Sequence, residues 1–293
     1  MCRPRGAGWL YSGAAAYILC PGEQALNSVI LRIAAGFLLG VLVLLAGSLS
    51  FSNYYLGQQQ KLSAAGDFGA ALDAARLSAR LDPFNSAPIA AQSFLRLGQG
   101  NPEEAAELLR GAIRRDPANY GNRAQLGNVQ LNQLNDPGAA AETYRRALEQ
   151  NPKDTAMISS LASALASTGD LEGARREYEK LREFDRISTR DLYELGRIYA
   201  RTGEPEKAVE TLEVVREGAS AKLENSGGLR RVQRELFVNS VDLAIADAYV
   251  AQGDYDEARR VLENSGAEQA PAILELLYID PEEYRETVLN SEP

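Results

Sequence analysis

Histidine is absent from the 293-residue chain, and cysteine occurs only at Cys2 and Cys20. Without imidazole there is no serine or cysteine triad built on histidine, no histidine-ligated metal and no histidine general acid or base. With both thiols ahead of residue 21, the remainder has no disulfide framework, no thiol nucleophile and no zinc-ligand set. No glycine loop ending in lysine is present to cradle a phosphate. Acidic pairs such as Glu103 and Glu104 sit where a helix N-terminus favours negative charge. These absences describe a protein that is not an enzyme and carries neither cofactor nor metal. Positive charge is also short: 31 basic residues face 40 acidic ones, a net charge of −9. Residues 1–51 hold Arg3, Arg5 and Arg32 against Glu23, so the rest of the chain is at −11. Such a body repels the phosphates of nucleic acid and of anionic lipid, and nucleic acid is not an expected partner.

One long apolar run is present. Ile33 to Leu49 has no charge over 17 residues, and residues 29–51 make a segment of 23, enough to cross about 30 Å of hydrocarbon. Arg3, Arg5 and Arg32 lie on its amino side, whereas the first charge after it is Lys61. That bias places the N-terminus in the cytoplasm and the remainder outside, in the periplasm or the extracellular space, as a single-pass inner-membrane protein. A cleaved signal peptide, which would give a secreted chain, is the competing reading, but its apolar core is usually about 7 to 15 residues. Gly36, Gly40 and Gly47 share a helical face, with GxxxG spacing for the first pair. That face offers a homo-oligomer contact, and the glycine enrichment common to membrane helices accounts for it as well. Residues 1–28 read as a disordered leader.

Beyond residue 51 the chain repeats itself. In Thr189 to Lys222, Leu192, Leu195, Gly196 and Tyr199 fall on one face of a helix, Gly203 ends it, and Glu204, Pro205 and Glu206 start another. Ala208, Leu212 and Val215 then form a second stripe. Turn residues recur at Gly66, Gly100, Asn135, Gly169, Gly203 and Gly253, with spacings of 34, 35, 34, 34 and 50. Glycine and asparagine are the residues that tolerate the left-handed region. The residue after each turn is Asp67, Asn101, Asp136, Asp170, Glu204 or Asp254, and five of these six are good N-caps. Five residues after each turn stands Ala71, Ala105, Ala140, Ala174, Ala208 or Ala258, small enough to let paired helices approach. Pro83, Pro117 and Pro152 close the first three units.

This pattern resembles the tetratricopeptide repeat family, whose helix–turn–helix unit is about 34 residues long. The resemblance implies an all-α, right-handed solenoid of about six repeats over residues 52–266, with residues 267–293 as capping helices. The first helix would continue from the membrane segment, with Gly57 as a break. The longer last spacing inserts 16 residues between units five and six, and Gly218 to Gly228 reads as a loop.

In that family the first helix of each unit lines a concave groove, so the resemblance implies a scaffold that docks proteins or peptides there. Unit three presents Asn122, Gln125, Asn128 and Asn132, carboxamides able to pair with the backbone of an extended peptide. Unit four adds Ser159, Ser163 and Ser167. Unit five adds Arg190, Tyr193, Arg197 and Arg201, a basic and aromatic set suited to an acidic peptide, unless neighbours such as Glu194 answer the charge. Unit two is lined by Ala87, Ala90, Ala91 and Phe94 and lacks the asparagine and lysine clamp that some family members use for chaperone tails. Arg230, Arg231 and Arg234 form another basic cluster. The run Arg80, Leu81, Asp82, Pro83, Phe84, Asn85 is similar to the soluble tails of some O-antigen ligase family proteins, which implies an accessory role in envelope polysaccharide assembly as an alternative.

Overall fold

The computed structural model describes residues 21–224 and 226–290, and side chains from Val29 onward. The first 20 residues of the expected leader, with Arg3, Arg5, Cys2 and Cys20, lie outside the described residues. Fourteen helices and no strand are present among the described residues. In chain order they are α1 (Pro21–Ala64), α2 (Phe68–Leu81), α3 (Ala87–Gly98), α4 (Pro102–Arg115), α5 (Tyr120–Asn132), α6 (Pro137–Leu148) and α7 (Thr155–Ser167). They continue with α8 (Leu171–Glu183), α9 (Thr189–Arg201), α10 (Pro205–Glu224), α11 (Gly228–Gln252), α12 (Tyr255–Asn264), α13 (Ala270–Ile279) and α14 (Pro281–Asn290). From α1 through α13, each helix packs on the one before it and the one after it, an α-solenoid.

The turn chemistry explains why. All six turn residues have positive φ, from 50° at Asn135 to 85° at Gly253. The side chains of Asp67, Asp136, Asp170 and Asp254 accept from backbone N–H groups three residues on. Asn101 makes no such bond, and Pro102 starts its helix instead. The six alanines five residues past each turn are all fully buried, which is what lets each pair close. Where the first helix must approach still nearer, glycine replaces a side chain. A Cβ on Gly127 would meet Tyr144 at 2.7 Å, and one on Gly196 would meet Leu212 at 2.6 Å. Tyr144, Tyr178, Leu195, Leu212 and Ile245 lie buried in one cluster that runs through units three to six.

Three segments differ from the sequence reading. α1 begins at Pro21, inside the expected leader, and runs without a break through Gly57. A lone glycine costs a helix only about 1 kcal/mol relative to alanine, and packing on α2 outweighs that. Second, Gly218 to Glu224 is helical rather than a loop, because Ala219, Ala221, Lys222 and Leu223 are good or adequate helix formers, and the next helix starts at Gly228. Third, α14 does not extend the stack. It folds back onto α11 and α9, with Tyr284 and Val288 in a small core beside Ala246 and Val250.

Two edges follow from this topology. Turns from first to second helix line one edge. Loops from second helix to next first helix line the other, and there α1 leaves the array. Ser52 and Ser78 bond reciprocally between α1 and α2 at 2.9–3.0 Å, and the Ser48 hydroxyl donates to the Leu81 carbonyl. From Val29 to Ala46 α1 has only Val41 less than exposed. This helix is long and apolar enough to cross a membrane, with a mean hydropathy of 2.6 in its most apolar window.

Candidate functional site

The first helices of units one to three, α1, α3 and α5, face a common cleft of about 930 Å³. α3 contributes the apolar floor of Ala87, Ala90 and Ala91, and the Phe94 ring stands 66% exposed in it. α5 contributes Asn122, Gln125, Asn128 and Asn132, and the end of α1 adds Gln59 and Gln60. The four carboxamides read from sequence are thus brought together on one wall. Their hydrogen-bonding capacity is partly committed. Asn128 Oδ1 accepts from the Tyr144 hydroxyl at 2.6 Å, and Asn132 Nδ2 donates to the Asn128 carbonyl at 3.1 Å. Gln125, exposed in the cleft, makes no hydrogen bond with either end of its amide among the described residues. Asn122 is 3% exposed, and its Nδ2 has no partner among the described residues.

Among the described residues no ionisable side chain lines this cleft, in a chain in which 24% of residues are charged. Amides that donate and accept, beside an exposed aromatic ring, match an extended backbone with apolar side chains rather than a charged group.

The expected serines and arginines fall elsewhere. Ser159 donates to Asp191 at 2.6 Å and so ties α7 to the start of α9, where Asp191 and Ser188 form a capping box. Ser167 bonds back to the Ser163 carbonyl at 3.0 Å, as helical hydroxyls often do. Neither Ser159 nor Ser163 lines the large cleft.

In unit five, Arg190 and Tyr193 line a second cleft of about 510 Å³ with Lys222, Arg234 and Phe237. The Tyr193 and Phe237 rings meet edge to face at 5.6 Å, and burial raises the Tyr193 hydroxyl pKa. Arg197 pairs at 3.2 Å with Glu194, which lines the same cleft, and lies 5.7 Å from the Tyr193 ring centroid. Arg201 is half-buried, and burial followed by the nearby Arg197 lowers its pKa. The three arginines share one helical face, but the neighbours brought in by α11 and α14 divide them. Asp247 of α11 accepts from the Tyr284 hydroxyl of α14 at 2.9 Å, with the charge of Arg197 nearby.

Sequence reasoning did not single out Gln59 and Gln60, polar groups of the first helix that line the cleft. The signal was their coincidence with the unit-three amides in residue type. It also missed the packing of α14 on α9 and α11, which only Tyr284 and Val288 at i and i+4 could have announced.

Tetratricopeptide repeat sequence models match residues 90–154 and 161–222, with further models of the same repeat over 131–188 and 241–264. No curated protein matches the chain. Among solved structures, the crystal structure of MamA protein is 22% identical, with 61% of this chain and 97% of that one covered and a TM-score of 0.53. The pilF protein of Pseudomonas aeruginosa is 17% identical, with 82% and 97% covered and a TM-score of 0.54. PilW, described as a widely conserved type IV pilus biogenesis factor, is 15% identical, with 76% and 98% covered and a TM-score of 0.54. At these identities the likeness is one of fold.

Proposed function

Because the chain belongs to the tetratricopeptide repeat family, we propose that it is a membrane-anchored scaffold whose groove docks an extended segment of a partner protein. The observation that carries this reading is the cleft of about 930 Å³ between α1, α3 and α5, which is rich in carboxamides and, among the described residues, free of ionisable groups. A ligand there is held through its backbone and through apolar side chains packed on Phe94. The apolar half of α1 is the anchor, its amino side in the cytoplasm and the repeats on the outer face of the membrane.

The test is a photo-crosslinking residue placed at Gln125, with the exposed outer-helix position Arg145 as control, in the full chain in its native membrane. A polypeptide adduct at 125 that is missing at 145, and that Phe94→Ala together with Asn132→Arg diminishes, is the expected result. Adducts at both positions alike, or adducts indifferent to the cleft variants, would refute the assignment.

A second dock, for an acidic partner, is supported by the smaller cleft, where Arg190 and Lys222 are exposed beside Tyr193. Arg190→Ala weakens recovery of such a partner, whereas Arg197→Ala, whose side chain faces Glu194, has the smaller effect.

A further inference from the structure

Outside α1 and the C-terminal helix pair, and apart from Phe94 in the cleft, Phe68 at the start of α2 and Val214 on α10, several large apolar side chains are left exposed on the edge from which α1 departs. Phe84, in the loop beside the departing helix, is 86% exposed, and Phe184, at the end of α8, is 42% exposed. The hairpin of α10 and α11 carries three more: Leu229, Val232 and Leu236 are 75%, 52% and 61% exposed.

The hairpin stands proud of this edge. Leu212 sits opposite Gly196, so residues of α10 beyond about 219 lie past the start of α9 at Thr189. Roughly five residues at about 1.5 Å each put the tip about 7 Å beyond its neighbours. From Gly227 to Leu236 every residue but Arg234 is exposed. Arg234 turns inward, donating to the Lys222 carbonyl and the Ser226 hydroxyl, and Phe237 is held by Tyr193. Leu229, Val232 and Leu236, at i, i+3 and i+7, therefore form a stripe on the side turned away from the array. Arg230 and Arg231 flank it, and Glu235 is the one acid between Ser226 and Leu236, in a chain of net charge −9.

We propose that the tip of the α10–α11 hairpin is a second membrane contact, with Leu229, Val232 and Leu236 seated in the interface of an anionic bilayer and Arg230 and Arg231 on the lipid phosphates. Short amphipathic surfaces bind in this way when apolar burial and charge attraction act together. A bilayer, rather than a protein, is the occupant because the stripe has no groove around it and lies on the edge that α1 leaves. The local sign of charge there is the reverse of the rest of the molecule. The contact rests on the anchoring role of α1, which brings the tip to the surface at high effective concentration.

The test uses the full chain with Cys2→Ser and Cys20→Ser, carrying an environment-sensitive NBD label on Val232→Cys. It is reconstituted in phosphatidylcholine vesicles with or without phosphatidylglycerol. The expected result on the anionic vesicles is a blue shift of the label and quenching by doxyl groups on the lipid tails. Both are lost on neutral vesicles and in Arg230→Glu with Arg231→Glu, while the chain still floats with the vesicles. A label open to aqueous iodide on a chain that floats overturns the hairpin contact and leaves the anchor standing. A chain that does not float overturns the anchor and the contact with it. A blue shift equal on both vesicle types, without doxyl quenching, overturns the lipid in favour of a protein occupant.

Discussion

The approach of α9 to α10 at Gly196 sets up a measurable conflict between two ordinary effects. In an exposed helix, alanine in place of glycine stabilises by about 1 kcal/mol. At Gly196 the new Cβ would lie 2.6 Å from Leu212 Cγ and 2.8 Å from its Cδ2, and Leu212 is completely buried and cannot swing aside. Overpacking of this kind costs about 1 to 3 kcal/mol, so Gly196→Ala is expected to be destabilising, by up to about 2 kcal/mol net. Leu212→Ala alone leaves a cavity and costs about 2 to 5 kcal/mol. In the Leu212→Ala background, however, the extra methyl has room. There Gly196→Ala regains its helical advantage, and the sign of its effect reverses. The coupling between the two sites is then at least about 1 kcal/mol, well outside the roughly 0.5 kcal/mol within which independent sites add. Urea titration of the four chains in one detergent, followed by far-UV circular dichroism, reads this as midpoint shifts at a common slope. Additive effects, or a Gly196→Ala chain more stable than the parent, would refute the close-approach argument.

Two further outcomes follow from groups already described. Burial, opposed by the Tyr284 hydroxyl and by Arg197, holds the Asp247 carboxyl above its ordinary value of about 3.9, so the folded chain binds that proton more tightly than the unfolded one. Its contribution is greatest below the unfolded pKa and is lost as pH rises through the folded one; Asp247→Asn should therefore shrink the drop in melting temperature between about pH 4 and pH 7, and an undiminished drop refutes it. Among the N-caps, Asp67→Ala, Asp136→Ala, Asp170→Ala and Asp254→Ala should each cost about 1 kcal/mol in thermal unfolding, whereas Asn101→Ala, which removes no cap bond, should cost under about 0.5 kcal/mol; equal costs would sink the distinction.

What could be read ahead of the structure was what a few neighbouring residues decide among themselves. A left-handed turn needs Gly or Asn, a helix start wants Asp, and a helix pair needs alanine where it closes, so Gly169, Asp170 and Ala174 announce one another. The cleft is another matter. Gln59, Phe94 and Gln125 are separated by about 30 residues each and meet only because three units stack, and nothing in their local patterns distinguishes them from solvent-facing side chains. Gly218 misled for a related reason: glycine breaks a helix only when packing does not hold it, and the burial of Val215 and Ala219 on either side does hold it. The resting place of α14 is set by α9 and α11, helices that stand dozens of residues earlier, which no stretch of ten residues encodes.

One uninterrupted helix, Pro21–Ala64, is both the apolar rod and the first stave of the groove. With no hinge between them, the two halves turn together. A twist or tilt imposed on the apolar half rotates the Gln59 wall of the cleft through the same angle, so the direction in which the cleft opens is set by the attitude of the rod. Lengthening that helix by a single residue between the two halves would swing the cleft by about 100° around its axis without changing one contact inside it.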